Sequence, residues 1–149
     1  MSLADRLFED MKKAMKDREA GKIRLATIRM IRAAQKDAEI AKRDGLNDDE
    51  MLAILNRELN KRRDVVGDYE KANRTDDLMR LQQEISVIQE YLPEQLEESE
   101  LRAIIQKTIE ELQVTSPGDR GKVMKHIMPG LKGLADGKLV KQIVNEVLQ

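Results

Sequence analysis

The sequence predicts an all-α protein, with an N-terminal antiparallel helical bundle and a small C-terminal three-helix domain. Apolar residues recur every three or four positions in most segments, which is the period of an amphipathic helix. Leu, Ile, Val, Met and Ala supply most of the apolar side chains, whereas aromatic residues make up only 2% of the chain. Such a composition suits the packing of helix on helix.

Length and composition also limit the classes of protein to consider. A chain of 149 residues can form one domain or two small ones. It contains no Cys, which excludes disulfides and thiolate metal sites. No run of about 18 apolar residues occurs, and the N-terminal segment MSLADRLFEDM carries charges where a signal peptide requires an apolar block. We therefore expect a soluble, cytoplasmic protein without a membrane span.

The first two helices are predicted from a cap and from periodicity. Ser2 is an N-cap candidate for a helix that runs to about Glu19. Its buried stripe is predicted to consist of Leu3, Leu7, Met11 and Met15. Gly21 marks a break or a tight corner before a second helix over about 22–42. The apolar face of that helix is predicted to contain Ile23, Thr27, Met30, Ile31, Ala34, Ala38 and Ala41.

Two further helices complete the predicted bundle. Asn47 and Glu50 have the spacing of a capping box, which predicts the start of a third helix that runs to about Lys71. Its sequence contains a basic cluster at 61–63 that neighbouring acids partly neutralise. Pro93 ends the fourth helix, because its ring and its missing N–H disfavour continuation. We expect the domain boundary there, with the bundle at 1–92 and the second domain at 93–149.

The second domain is predicted to contain three helices. The first runs over about 99–113 and begins at Ser99 as its cap. Ser116 followed by Pro117 predicts the start of the next helix, and Asp136 caps the last one. The final two helices should pack their apolar faces against each other and against the first.

These final two helices form a glycine-rich basic hairpin. From Asp119 onward, six basic residues stand against three acidic ones, in a chain whose net charge is −1. Glycines at positions 121, 130, 133 and 137 would let backbone N–H groups approach a phosphate closely. Alternatively, the glycines only make tight turns and the lysines only keep the surface solvated. The hairpin has no aromatic residue, which favours recognition of RNA shape and backbone over base readout.

A second basic surface is predicted on the second helix, opposite its apolar face. It forms a band about 30 Å long, at a rise of about 1.5 Å per residue. Either the band is simply solvated, or it follows a polyanion. Its members are Lys22, Arg29, Arg32, Lys36 and Arg43.

No self-contained active site is evident in the sequence. His126 is the sole histidine and lies among lysines, so it is either a surface residue or a phosphate contact. No phosphate-binding glycine motif of the nucleotide-binding folds occurs. The serines are predicted to be helix caps or to lie within helices, without a histidine base beside them. We therefore expect no catalytic residue, no metal and no cofactor.

Several separated segments resemble the GatB/YqeY family over the full length of the chain. They are RLATIRMIRAA at 24–34, ELNKRRD at 58–64, YEKANRTD at 69–76, QEYLPEQL at 89–96 and GKVMKHIMPGLKGLADGKLVKQIV at 121–144. Leu134 departs from the pattern, because many relatives are expected to carry a basic residue there. The resemblance implies two all-α parts and kinship with the C-terminal tail of the B subunit of the glutamine-dependent tRNA amidotransferase.

In that enzyme the tail helps to hold the tRNA, and catalysis belongs to other domains. The resemblance therefore implies tRNA binding rather than catalysis. A carbon–nitrogen ligase label, with glutamine as amido-N-donor, would be inherited from the larger enzyme. The residues that it implies for tRNA contact are Gly121, Lys122, Lys125, Lys132, Gly133, Lys138 and Lys141.

Three hypotheses of function follow. The leading one is a non-catalytic tRNA-binding module. The second is a protein adaptor that docks on an amidotransferase, a synthetase or another part of the translation machinery. The third, and least favoured, is an amide-transfer enzyme. Neither DNA nor a membrane is an expected partner.

Overall fold

The computed structural model describes residues 1–131 and 134–149. Within these ranges the chain forms seven α-helices and two short 3₁₀ helices, and no strand. The prediction of an all-α protein is therefore confirmed. Contacts between α-carbons divide the chain into two compact units, Met1–Leu92 (unit 1) and Pro93–Gln149 (unit 2). None of the described helices is both long and apolar enough to cross a membrane.

Unit 1 contains four helices that pack around one core. They are α1 (Leu3–Lys16), α2 (Lys22–Lys42), α3 (Asp48–Lys71) and α4 (Thr75–Gln89). Helix α2 contacts the other three, and α3 also contacts α1 and α4. The buried core residues are Leu7, Ile28, Ile31, Met51, Ile54, Leu55, Leu59, Val87, Ile88, Tyr91 and Leu92.

The predicted caps of unit 1 are confirmed. The backbone N–H of Asp5 donates to Ser2 Oγ over 3.1 Å at the start of α1. At the start of α3, Glu50 N–H donates to Asn47 Oδ1 (2.8 Å), and Asn47 N–H donates to Glu50 Oε1 (3.1 Å). Each bond satisfies a backbone donor that has no partner within the helix, so these residues determine where the helices begin.

Helix α1 differs from its prediction at its C-terminal end. It ends at Lys16 rather than near Glu19, and a 3₁₀ helix (Arg18–Gly21) leads into α2. Met15 is 50% exposed, whereas Ala14 is 1% exposed. Steps of four residues rotate the stripe by about 40° each, so the core-facing position has moved to Ala14 by the last turn.

Helix α2 has the predicted bounds, but its buried face is rotated from the predicted one. Met30 was expected inside and is 51% exposed, while Ile28 was not assigned to the core and is fully buried. Ala41 is also exposed, at the last turn of the helix. The centre of the predicted face lies too far around the helix from Ile28. The three alanines near the C-terminal end of α2 were included in that face and shifted its centre toward their own side.

Unit 2 contains α5 (Glu98–Leu112), α6 (Arg120–Leu131) and α7 (Gly137–Val147), and each of them contacts the other two. Their core consists of Leu101, Ile105, Ile109, Val114, Val123, Ile127, Leu131, Val140, Ile143, Val144 and Leu148.

One of the three predicted caps of unit 2 is wrong. Ser99 lies inside α5, and the N-cap is Glu97, whose N–H donates to Glu100 Oε2 over 3.1 Å. The cap of α7 is confirmed, since Asp136 Oδ1 accepts from Lys138 N–H at 3.0 Å. Ser116 Oγ accepts from Gly118 N–H at 3.2 Å, but it caps the second 3₁₀ helix (Pro117–Asp119), and α6 begins only at Arg120.

Candidate nucleic-acid interface

The basic hairpin of unit 2 is an antiparallel pair of helices. Arg120, the first residue of α6, donates from Nη1 to Asn145 Oδ1 near the end of α7 (3.1 Å). At the opposite end of the pair, a Cβ added to Gly137 would lie 3.8 Å from Cε of Met128. The buried residues of the two helices are Val123, Ile127 and Leu131 on α6 and Val140, Ile143 and Val144 on α7.

Five of the predicted contact residues lie on the exposed sides of α6 and α7. At about 100° per residue, Lys138 and Lys141 lie within roughly 40° of Asn145 on α7. By the same rotation, Gly121 lies about 20° and Lys125 about 60° from Met128 on α6. We call Gly121, Lys122, Lys125, Lys138 and Lys141, together with Arg120 and Asn145, the α6/α7 face.

Lys122 lies further around α6, about 120° from Met128. It is exposed, and so are Gly121, Lys125, Lys138 and Lys141. Within the described part of the chain, neither Lys122, Lys125 nor Lys141 forms an ion pair. Lys132 and Gly133, which were also predicted to contact tRNA, lie outside the described residues.

The two carboxylates at α7, Glu146 and Asp136, bind groups other than Lys125 and Lys141. Glu146 Oε2 accepts from Arg102 of α5 at 2.6 Å, and Arg102 also pairs with Glu98 at 3.0 Å. The hydrogen bond from Arg102 lowers the pKa of the Glu146 carboxyl below its usual value. Asp136 serves as the cap of α7. The negative charges therefore do not neutralise Lys125 or Lys141.

Gly121 is not required by packing. A Cβ at this position would meet no atom within 4 Å. Its effect is to leave the surface of the first turn of α6 bare, so that a ligand could approach the backbone closely. The alternative that Gly121 only makes a tight turn is not supported, since it lies within α6.

The α6–α7 connection is held by a backbone contact from the start of unit 2. Leu96 N–H donates to the carbonyl oxygen of Leu134 at 2.9 Å. Leu134 N–H donates in turn to Leu131 O at the end of α6, also at 2.9 Å. The residue that departs from the family pattern thus acts here through its backbone.

The predicted residues of the second basic surface, on α2, do not all line the same groove. Arg29 and Lys36 are exposed, and with Arg32 they line one groove beside Met11 of α1. Arg32 is half-buried, since its Nη1 lies 3.1 Å from Met11 Sδ. Lys22 is exposed but does not line that groove.

Two residues of the α6/α7 face were not among the predicted contacts. They are Arg120 and Asn145. Their hydrogen bond joins the two ends of the chain segment across 25 positions. Their spacing along the sequence alone does not show that contact.

Comparison with known proteins identifies a family whose sequence pattern matches this chain. A family model described as Yqey-like protein matches residues 4–148, which is nearly the whole chain.

The chain belongs to the YqeY-like family.

The match supports the relation to the C-terminal region of the amidotransferase B subunit. A comparison with curated proteins found no match. In this YqeY-like chain the matched range includes both units, and therefore both the α6/α7 face and the groove on α2.

Proposed function

We propose that this YqeY-like protein is a non-catalytic module that binds folded tRNA through the α6/α7 face. The observation that carries the proposal is a set of exposed lysines on two packed helices, of which Lys125 and Lys141 have no acidic partner among the described residues. Such cations would neutralise phosphates and release counterions, which is the main source of affinity for a nucleic-acid backbone.

Shape and backbone, rather than bases, are the features that unit 2 would recognise. The Phe and both Tyr residues of the chain lie in unit 1, so unit 2 offers no Phe, Tyr or Trp ring on which a base could stack. Helices that carry cations at fixed spacing suit a folded RNA whose phosphates are also held at fixed positions. The relation to an amidotransferase tail points to tRNA within that class.

The non-catalytic part of the proposal rests on the surroundings of His126. This residue is the only histidine, and it is exposed on α6. Among the described residues no hydrogen bond links it to a serine or a carboxylate. A nucleophile activated by a histidine base needs such a contact.

Binding of fluorescently labelled total tRNA, measured by anisotropy over a range of salt concentrations, tests the proposal. If about four phosphates are neutralised, log K falls against log salt with a slope of roughly −3 to −4. The triple variant Lys122→Ala, Lys125→Ala and Lys141→Ala should lose about one unit of slope per lysine. Its fold should persist, since exposed charges contribute little to stability.

A matched control removes three exposed cations from other helices, Arg57 and Lys71 of α3 and Lys107 of α5. This variant should bind tRNA with nearly the slope of the unchanged protein. Absence of tRNA binding at low salt, or equal losses in both triple variants, would show the proposal to be wrong. Retention of a protein partner through the α6/α7 face, without RNA, would instead support the adaptor hypothesis.

A further inference from the structure

Unit 1 carries a cationic groove that the α6/α7 face does not include. The groove lies beside α1 and α2 and has a volume of about 540 Å³. Met11 of α1 forms its apolar part, and Arg29, Arg32 and Lys36 of α2 supply its positive charge. Glu39 lies at the end nearest the C-terminus of α2 and accepts a hydrogen bond from Gln35 Nε2 at 2.8 Å.

An exposed aromatic ring adjoins this groove. Phe8 is 42% exposed, in contrast to Tyr91, which is 3% exposed and belongs to the core. The guanidinium of Arg32 and the ammonium of Lys12 each lie 4.8 Å from the centroid of the Phe8 ring. Arg32 therefore connects the ring to the groove, because the same guanidinium also contacts Met11 Sδ.

The spacing of the cations suits a chain of phosphates. Arg29, Arg32 and Lys36 span about 10 Å along α2, at a rise of about 1.5 Å per residue. Arg29 and Lys36 are exposed and form no ion pair with any described residue. Arg32 is held in place by Met11 and Phe8, so it would bind a phosphate with little further loss of side-chain freedom.

An aromatic ring beside cations at this spacing is typical of sites for single-stranded nucleic acid. Bases stack on the ring while the cations bind the backbone, and the interaction depends little on sequence. An amphipathic protein helix would need a longer apolar stripe than Phe8, Met11 and Met15 provide. The mixed character of the groove thus favours unpaired nucleotides.

We propose that the α1/α2 groove binds an unpaired stretch of RNA, with a base stacked on Phe8 in place of the Lys12 ammonium and phosphates on Arg29, Arg32 and Lys36. The proposal depends on the proposed function only in taking RNA as the ligand, since it uses residues of unit 1 alone. A protein that binds folded RNA through unit 2 would thereby hold a single-stranded segment as well.

A fluorescein-labelled 12-mer of oligouridylate, added to the full chain, tests this groove directly. Phe8→Ala should weaken binding about 5- to 100-fold, as the loss of one stacked base predicts, whereas Phe8→Trp should retain it. Arg29→Ala combined with Lys36→Ala should reduce the salt slope by about 1.4, at about 0.7 per phosphate of a single strand. Glu39→Gln should tighten binding, because it removes a negative charge from the groove.

The matched controls separate this outcome from a loss of fold. Met79→Ala removes a side chain that is 56% exposed on α4, and it should leave binding unchanged. Arg57→Ala with Lys71→Ala removes the same charge from α3 and should also have little effect. Thermal melts of each variant show whether the fold is retained. If Phe8→Ala unfolds the chain, the effects of Arg29→Ala with Lys36→Ala and of Glu39→Gln on oligouridylate binding test the proposal instead.

Three results would overturn the groove proposal: no binding of oligouridylate at low salt, equal effects of Phe8→Ala and Met79→Ala in folded protein, or equally tight binding of polyglutamate. The triple lysine variant of unit 2 distinguishes the two proposals. It should bind tRNA with a salt slope reduced by about three units and keep oligouridylate binding. Unchanged tRNA binding by that variant, with oligouridylate still dependent on Phe8, would reject the role of the α6/α7 face alone.

Discussion

Arg24 and Glu90 form a two-pronged ion pair at the end of unit 1. Nη1 of Arg24 donates to Glu90 Oε2 at 2.6 Å, and Nη2 donates to Oε1 at 2.9 Å. Nη2 of Arg6 donates to the backbone carbonyl of Glu90 at 3.2 Å. Both sequence-distant arginines thus hold the residue that follows α4, three positions before Pro93.

The pH dependence of this pair follows from Glu90. The hydrogen bond from Arg24 lowers the pKa of the Glu90 carboxyl below its usual value. A lowered pKa in the folded state gives stability that is fully present above the unfolded value, about 4.3, and is lost as the pH falls through the folded pKa.

We expect Glu90→Gln to cost less than about 1 kcal/mol at pH 7, because both side chains are partly exposed and solvent screens the pair. The cost should shrink as the pH is lowered below about 4.3. Urea unfolding at pH 7, 5 and 4 measures it. A cost that grows on acidification would contradict the assignment.

Tyr91 contributes stability that is lost as the pH rises, which is the opposite of the pH dependence of Glu90. Its hydroxyl donates to Asp10 Oδ2 at 2.5 Å. Burial, and then this bond to the Asp10 carboxylate, raises the pKa of the Tyr91 hydroxyl above its usual value. The resulting stability is present below the unfolded value, about 10, and is lost as the pH rises toward the folded pKa.

Tyr91→Phe should therefore destabilise unit 1 by about 0.5–1.5 kcal/mol near neutral pH, through the lost hydrogen bond. Above about pH 10 the difference should narrow, because the unfolded tyrosine ionises and the phenylalanine cannot. Chemical unfolding at pH 7 and pH 10.5 tests this. Tyr69→Phe, at a half-buried position on α3, is a control whose cost at pH 7 should be smaller, because the Tyr69 hydroxyl forms no hydrogen bond with any described residue.

Gly21 is required by the close approach of α1 to the start of α2. A Cβ at this position would lie 2.3 Å from the carbonyl oxygen of Ala14, which is backbone and cannot rotate away. We expect Gly21→Ala to destabilise unit 1 by about 1–3 kcal/mol, as overpacking does. Thermal unfolding followed by circular dichroism measures the change.

Gly67 provides the matched control, since it lies within α3 and a Cβ there meets nothing within 4 Å. Gly67→Ala should stabilise by about 0.5–1 kcal/mol, because alanine loses less backbone entropy in a helix. If both substitutions shifted the melting temperature in the same direction, the close contact at Ala14 would not be the cause.

Most of the caps of the fold could be predicted because their causes are local. Ser2, Asn47 and Asp136 each bond a backbone N–H within three residues, so sequence spacing contains the information. Burial is less local. Ile28 is buried and Met30 exposed because neighbouring helices pack on particular sides of α2, which its own periodicity shows only to within one position.

The candidate interface shows the same limit. Exposed lysines such as Lys122 and Lys141 can be selected from charge and periodicity alone. The contact between Arg120 and Asn145 depends on how α6 packs on α7, so its distance is known only from the structure. The position of Arg32 against Phe8 is likewise a contact between helices, and it changes an apparently solvated cation into part of a groove.

Arg62 shows why adjacent cations cannot be treated alike. It belongs to the basic cluster at 61–63, yet its side chain is only 7% exposed, and Nε donates to Glu84 Oε2 at 3.1 Å. Nη1 lies 3.8 Å from Glu58 Oε1, and the Glu58 side chain is 6% exposed. Arg62 thus compensates two carboxylates that are largely removed from water.

Arg62→Met should cost about 1–3 kcal/mol in the free energy of unfolding, because it removes the hydrogen bond to Glu84 and one of the two cations beside the buried Glu58 carboxylate, while Lys61 Nζ stays 3.1 Å from Glu58 Oε2. Arg63→Met changes the neighbouring, exposed cation and should stay within about 0.5 kcal/mol of the unchanged protein. Adding Glu58→Gln to Arg62→Met should recover part of the loss, since it removes the buried charge. Urea unfolding of the three variants measures these differences, and equal costs for Arg62→Met and Arg63→Met would show that the buried pair does not carry the stability assigned to it.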